Sequence, residues 1–202
     1  MNAIKTLFIL AAALALQWSV QAADTYTIDP AHTRVGFSVR HLGISNVKGK
    51  FNEFTGSLVL DNDALKAATA TIQVASVDTG VAQRDQHLRT ADFFDATNHP
   101  TITFKSKQVI KSGQQFTVIG DFTMRGVTRE LRLPVTLSKP INDPWGKVRV
   151  GLEAKAKLNR KDYGINYHQL LETGVAAVGE EVELDINAEA VKDAAGKNSP
   201  AK

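Results

Sequence analysis

Apolar and polar residues alternate along much of the chain after residue 23, in eight separate segments. A period of two places every second side chain on the same face, so each segment predicts a β-strand with one buried face. In residues 148–158, valine, leucine and alanine occupy the even positions, and charged residues occupy most of the odd ones. The predicted strands cover residues 33–41, 51–60, 70–74, 102–109, 116–124, 131–137, 148–158 and 182–190.

Short turn signals separate several of these strands. Residues 111–114 (KSGQ) and 125–128 (RGVT) predict tight hairpins, and Gly126 is free to take a positive φ. Residues 140–146 predict a longer, stiffer loop, and residues 163–179 show no regular period. These connections are typical of an antiparallel sheet.

Eight strands with one apolar face each need a way to cover that face. An open sheet would leave two free edges, and the sequence offers a single helix to cover it. Closure into an eight-stranded antiparallel barrel removes both problems and leaves room for side chains or one small ligand. A two-sheet sandwich would bury the same residues without a cavity and is the alternative fold.

The helix is predicted near residues 80–95, within the 79–100 segment that interrupts the strands. Helical spacing places Arg84, His87 and Leu88 on one stripe, with Ala91 one turn further on. Asp78 or Thr79 is expected to cap its start, and Asp85 is expected to pair with Arg89. The segment is therefore predicted to form a lid that carries cationic and apolar groups.

The first 22 residues have the features of a secretory signal peptide. Lys5 precedes an apolar run over residues 6–16, and small residues precede the expected cleavage after Ala22. The expected organisation is therefore a signal peptide (1–22), one β-domain (23–191) and a flexible tail (192–202). Export to the bacterial periplasm is predicted, without a stable membrane anchor.

Charge and cysteine content argue against nucleic-acid binding and against a disulfide-stabilised fold. The net charge is +3, falling to +2 once Lys5 is removed, and no basic run interleaves with aromatic residues. Nucleic-acid binding is therefore not expected. The chain has no cysteine, so its stability must come from its core rather than from disulfides.

Two interpretations of the inward-facing residues stay open on pattern alone. Small residues among them either let neighbours interdigitate or leave a tunnel that could hold a hydrocarbon chain. The small residues are Gly56, Ala70, Gly120, Ala154 and Ala156. Arg84, His87 and His41 would meet a head group at the tunnel mouth. Alternatively they are structural, with Arg84 paired to Asp85 or Asp92.

Signals for catalysis are weak. Nucleophile-elbow, zinc-protease and cysteine-nucleophile motifs are absent from the sequence. The five histidines, at positions 32, 41, 87, 99 and 168, lack the local spacing of metal ligands. We therefore predict no enzyme, no metal and no cofactor. A metal-assisted enzyme that uses His32, His41 and His87 is kept as an alternative, and so is a ligand-free interaction module.

Six blocks, in order along the chain, resemble the YceI family of periplasmic polyisoprenoid-binding proteins. They are residues 26–33 (YTIDPAHT) with Phe37 and His41; 47–51 (VKGKF) with 54–56 (FTG); Thr79 with 84–89 (RDQHLR) and 92–95 (DFFD); 99–106 (HPTITFKS); 120–128 (GDFTMRGVT); and 160–164 (RKDYG). The resemblance implies an all-β, lipocalin-like barrel that encloses a long-chain isoprenoid amphiphile, such as a polyprenyl phosphate or a quinone. A homodimer is compatible with the family.

With this resemblance, a carrier or sequestering role becomes the expected function. The lipid tail is expected to lie among Phe37, Val39, Phe54, Leu88, Phe93, Phe94, Phe104, Phe122 and Met124. The head group is expected to meet some of His41, Arg84, His87, Arg125 and Tyr163.

Overall fold

The computed structural model describes residues 23–194, and the expected signal peptide and residues 195–202 lie outside this range. The strands are β1 (Asp24–Ile28), β2 (Arg34–His41), β3 (Ser45–Phe51), β4 (Phe54–Asp61), β5 (Ala64–Gln73), β6 (Val77–Asp78), β7 (Thr101–Ser112), β8 (Gln115–Met124), β9 (Val127–Leu137), β10 (Ile141–Asn142), β11 (Val148–Asn159) and β12 (Val178–Lys192). The helices are α1 (Ala82–Arg89) and three 3₁₀ turns at Pro30–His32, Val74–Ser76 and Arg160–Tyr163.

The sheet closes on itself. Strands follow one another in the order β11-β9-β8-β7-β5-β4-β1-β12, and β12 then pairs with β11 along eleven residue pairs. All of these pairings are antiparallel. The predicted eight-stranded barrel is therefore confirmed, and the alternative two-sheet sandwich is wrong.

Three neighbouring strands are each broken in two. β1 continues as β2 on the same edge of β12, β3 continues as β4, and β5 continues as β6. The breaks lie at residues 29–33, 52–53 and 74–76. The alternation predicted one strand at each of these places and missed β1, β6 and most of β3. β1 and β6 have only five and two residues, and the turns at the breaks contain no glycine.

The barrel has a packed end and a lid end. At the packed end, where β1 pairs with β4, buried side chains from opposite walls meet across the axis. They include Tyr26, Leu58, Leu60, Leu65, Val118, Leu133, Val150 and Ala190. At the lid end, residues 79–100 connect β6 to β7 and lie beside the broken strands. The division matters because close packing at one end confines any cavity to the other.

Both predicted hairpins are confirmed. Gly113 lies between β7 and β8 with φ 61°, and Arg125 and Gly126 lie between β8 and β9 with φ 50° and 72°. Two consecutive positive φ values match the right-handed twist of the flanking strands, which is why glycine suits the second position. The structure also shows that Arg125 adopts a conformation that arginine rarely adopts.

The start of the expected tail belongs to the barrel. β12 extends to Lys192, whose Nζ lies 2.6 Å from Asp24 Oδ2. The amide of Asp193 donates to the carbonyl of Thr25 at 2.8 Å. The paired chain therefore extends at least to residue 193, beyond the boundary expected from composition.

Arg149 ties the packed end together through three carboxylates. Its Nη1 lies 2.6 Å from Asp29 Oδ2 and 3.2 Å from Glu189 Oε2, and its Nε lies 2.8 Å from Asp143 Oδ2. Hydrogen bonds from Arg149 and from His32 lower the pKa of Asp29 from 3.8 to about 2. Arg149 likewise lowers the pKa of Asp143.

These bonds predict a specific acid sensitivity. Because the folded-state pKa of Asp29 is depressed, its stabilising contribution is present above pH 3.8 and is lost as the pH falls towards about 2. Asp29→Asn should remove this contribution and flatten the fall in unfolding free energy across that window. Urea unfolding at a series of pH values measures it. Asp185→Asn, at an exposed carboxylate 4.0 Å from Lys155, is the control and should leave the slope unchanged.

Candidate functional site

A cavity of about 280 Å³ lies at the lid end of the barrel, between β2, β3, β12, the lid and the β11–β12 connection. Most of its lining is apolar. The apolar lining residues are Val35, Phe37, Val39, Val47, Phe51, Ile72, Leu88, Phe93, Phe94, Ile102, Phe122, Met124, Leu158, Ile165, Ala177, Val178, Val182, Leu184 and Ile186. An enclosure of this composition suits a hydrocarbon group and offers little to a polar one.

Three phenylalanine rings form one wall of the cavity. Phe37, Phe51 and Phe94 lie with ring centroids 5.6–6.4 Å apart, and two of the three pairs are edge-to-face. Gly49 makes this wall possible, because a Cβ on residue 49 would lie 2.3 Å from Cζ of Phe37. The VKGKF block therefore supplies the ring of Phe51 and, at Gly49, the space for the ring of Phe37.

A second aromatic group joins the lid to the β11–β12 connection. The ring of His87 lies edge-on to Phe93 at 5.0 Å and to Tyr167 at 5.4 Å, and Phe93 and Tyr167 are 4.8 Å apart. Nε2 of His87 lies 2.9 Å from Oδ2 of Asp92. Both sides of the cavity opening are thus held by the same cluster.

The lid begins differently from the prediction. α1 has Val81 at its N-cap, and no side chain caps it. Asp85 is buried inside the first turn and accepts hydrogen bonds from Thr79 N at 2.8 Å and Thr79 Oγ1 at 2.6 Å. Arg84 in turn donates from Nε to Thr79 Oγ1 at 2.7 Å. The expected cap by Asp78 or Thr79 is wrong, because Thr79 folds back onto the helix as a donor.

Two arginines fasten the lid to the barrel. Arg89 donates to the carbonyls of Ala75 and Val77 at 2.7 and 2.9 Å, so it is not the expected partner of Asp85. Arg125, from the β8–β9 turn, donates to the carbonyl of Ala91 at 2.8 Å and also to that of Phe93. Residues 90–100 are turns and irregular chain rather than helix, and local backbone hydrogen bonds hold them.

Arg160 is a buried cation that the sequence analysis did not identify as part of the site. Its side chain is 4% exposed, lines the cavity, and donates to the carbonyls of Gly179, Ile165, Tyr167 and Val178 at 2.6–3.2 Å. Burial lowers the pKa of its guanidinium. The RKDYG block that contains it was visible, but the four carbonyls that solvate the charge come from the irregular 163–179 segment, which gave no signal.

Ten of the fourteen predicted ligand-binding residues line the cavity. They are Phe37, Val39, His41, Arg84, His87, Leu88, Phe93, Phe94, Phe122 and Met124. The other four lie outside the lining. Phe54 and Phe104 are buried in the barrel wall. Arg125 holds the lid, and Tyr163 packs edge-to-face on Phe122 at 5.5 Å, where burial raises the pKa of its hydroxyl.

The small inward-facing residues serve packing, and none of the five lines the cavity. A Cβ on Gly120 would lie 2.5 Å from the Lys105 carbonyl and 2.7 Å from Cζ of Phe104. A Cβ on Gly56 would lie 2.7 Å from the carbonyl of Thr69. The tunnel expected from small residues therefore does not follow them. The cavity lies instead between β2, β3, β12, the lid and the β11–β12 connection.

The lining, within residues 23–194, contains basic side chains and no acidic ones. Among the described residues that line the cavity are Arg40, Arg84, Arg160, His41 and His87, and no aspartate or glutamate. His32, the third histidine of the alternative catalytic set, is not among the lining residues, and its Nδ1 lies 2.9 Å from Asp29 Oδ2. The three histidines therefore do not form one site.

One group of potential metal ligands occurs within residues 23–194, and it lies outside the cavity. It consists of Asp29, His32 and Glu189, with ligand atoms within 4.8 Å of one another. The guanidinium of Arg149 already bonds to both of its carboxylates. A fixed cation in that position neutralises the charge that would attract a metal ion.

Comparison with known proteins assigns the family. A model of the YceI-like domain matches residues 26–190. The chain belongs to the YceI family. The protein YceI of Shigella flexneri is 40% identical over 178 residues, covering 86% of this chain and 90% of that protein. The resemblance found in the sequence is thereby confirmed.

Solved structures agree with the YceI-like fold. BcnA of Burkholderia cenocepacia superposes with a TM-score of 0.71 at 22% identity, covering 80% of this chain and 98% of that one. A polyisoprenoid-binding domain from Saccharophagus degradans superposes with a TM-score of 0.62 at 14% identity, covering 83% and 98%. Within the described part of this YceI-family chain, no helix is long and apolar enough to cross a membrane.

Proposed function

We propose that the protein is a non-catalytic carrier for one long-chain isoprenoid amphiphile, exported to the periplasm. The observation that carries the proposal is a cavity with an apolar lining and cations as its charged groups. The family and the polyisoprenoid-binding neighbour support the choice of an isoprenoid over another hydrocarbon. The signal-peptide features of residues 1–22 support export.

Burial of the tail supplies most of the affinity. Each CH₂ that leaves water contributes about 0.8 kcal/mol, so about ten buried carbons contribute about 8 kcal/mol. Part of that gain is offset by the ordering of the lipid and the protein on binding. Two isoprene units inside the cavity are therefore enough for a useful complex, and a longer tail tightens it only as far as it stays inside.

The charged lining favours a lipid with an acidic or strongly hydrogen-bonding head. Arg84 uses Nε and Nη2 on Thr79, at 2.7 and 2.9 Å, and its Nη1 makes no hydrogen bond to the described residues. A guanidinium held in this way is suited to a phosphate or carboxylate oxygen. We therefore place polyprenyl phosphates ahead of quinones as guests.

No step of this function needs bond making or breaking, and we propose no cofactor. The alternative of a histidine-based enzyme has no supporting geometry, since His32 lies outside the cavity that contains His41 and His87. Elemental analysis for bound zinc or copper distinguishes the two. A stoichiometric metal would favour the enzyme.

Solvent extraction and mass spectrometry of the purified protein test the proposal. We expect close to one isoprenoid lipid per chain in the extract, and we expect the delipidated protein to bind a polyprenyl phosphate more tightly than a quinone of matched tail length. An empty extract, together with no binding of either lipid, would contradict the carrier function. Tighter binding of the quinone than of the polyprenyl phosphate would contradict only the assignment of the head group.

A further inference from the structure

Four exposed apolar residues lie within three residues of residues that line the cavity. Ile44, Val81, Leu170 and Val175, which we call the apolar rim, are four of the seven large hydrophobic residues exposed in the described chain. They come from three separate segments: the β2–β3 turn, the N-terminus of α1 and the β11–β12 connection. Single exposed hydrophobic residues are ordinary, but a group around one opening marks an interaction surface.

Backbone contacts link the rim to the cavity lining. Ile44 N donates to the carbonyl of His41 at 3.1 Å, and Leu42 N donates to that of Ala177 at 2.9 Å; His41 and Ala177 both line the cavity. A Cβ on Gly43 would lie 3.1 Å from Cγ1 of Val175, so the β2–β3 turn and the β11–β12 connection touch. Ile44 is nevertheless 79% exposed. The apolar lining therefore continues outward onto the rim.

The segments that carry the rim contain few acidic residues. Residues 42–46, 79–84 and 165–178 contain a single acid, Glu172. The cations of the lining, among them Arg40 and Arg84, lie on the same end of the barrel. An apolar surface beside cations matches a bilayer interface, where acyl chains lie beneath phosphate groups.

We propose that the apolar rim docks on the surface of a phospholipid membrane, so that lipid passes between bilayer and cavity without crossing water. This inference rests on the proposed carrier function, because only a lipid guest requires such a path. Exposure of a hydrocarbon tail to water opposes transfer through solution, and contact between rim and bilayer removes that exposure. A second copy of this chain is the competing occupant of the same surface.

Flotation with vesicles of phosphatidylethanolamine and phosphatidylglycerol tests the docking. We compare the wild type with I44S/L170S and with the matched control I110S/I141S, which makes the same change at the packed end. Exposures are similar within each pair: Ile44 79% and Ile141 62%, Leu170 53% and Ile110 43%. We expect the rim variant to lower the membrane partition coefficient by at least about tenfold and the control to leave it near the wild-type value.

Several outcomes would overturn the docking. They are a wild type that does not float with vesicles, equal losses in both variants, or a wild-type dimer that only the rim variant dissociates. Lipid extraction from the same samples separates this proposal from the carrier function. Retained lipid without vesicle binding contradicts docking alone, whereas rim-dependent vesicle binding by a protein that retains no lipid contradicts the carrier alone. The rim residues lie outside the lining, so I44S/L170S is expected to retain lipid.

Discussion

Arg160→Met is expected to lower the free energy of unfolding by about 3–5 kcal/mol, the largest stability effect that we predict. The guanidinium donates to four backbone carbonyls, two within the β11–β12 connection and two in the first residues of β12. Methionine matches its apolar stem but leaves the carbonyls without donors. Urea unfolding measures the loss, and hydrogen exchange should show faster opening across residues 164–178.

Arg132→Met is the control for this change. Arg132 is exposed, and within residues 23–194 its guanidinium bonds only to the side chain of Glu130, at 3.2 Å. Its loss is therefore expected to cost less than about 1 kcal/mol. Arg160→Lys should recover only part of the stability, because an ammonium cannot reach four carbonyls with the geometry of a guanidinium. Equal stability of R160M and R132M would show that water replaces the guanidinium at no cost.

Phe122→Asp is expected to abolish lipid retention, the largest functional effect that we predict. The ring of Phe122 is buried, lines the cavity and packs on Tyr163. An aspartate there puts a charge beside the tail, where it lacks hydrogen-bond donors, at a cost of several kcal/mol. Lipid per chain after purification, measured by mass spectrometry, should fall below detection.

Thr123→Asp is the matched control, since it adds the same charge to the next residue of β8, whose hydroxyl lies on the outer face against Thr128. It should retain lipid at the wild-type level. If F122D fails to fold, Val39→Trp gives an independent reading, because it fills the cavity without adding a charge. Full retention in V39W would mean that the tail does not use this space.

The barrel could be predicted because buried and exposed residues alternate along most of its strands. In β11 and β8, alternation identified the buried face directly: Val150, Leu152 and Ala154 are buried, as are Phe116, Val118 and Phe122. The turn at Gly126 was equally local. A single sequence contains this information because a strand's two faces meet different environments throughout its length.

The broken strands and the lid could not be predicted in the same way. The halves of β1–β2 are separated at Asp29, whose partner Arg149 is 120 residues away. Thr79 was expected to accept at the helix start, but it donates to Asp85 because the chain turns back there. Such choices depend on tertiary partners, and the sequence period carries no trace of them.

The candidate site was predictable in its apolar part and less so in its polar part. Phe37, Val39 and Phe94 were found through strand faces and family motifs, and all three line the cavity. Arg160 was missed, since a buried arginine and a surface arginine look alike in sequence. Arg125 was expected near a head group, but its side chain instead donates hydrogen bonds to backbone carbonyls of the lid.

The packed end of the barrel has a consequence for the choice of guest. Leu58, Val118 and Leu133 fill the axis beyond the hollow, so a tail that enters at the lid meets a solid floor. The depth of the hollow therefore limits the tail length that can be buried. Isoprene units that fit above the packed core add affinity, and further units must fold back or stay outside. Binding strength should rise with tail length and then level off, and the length at which it levels is set by the barrel wall.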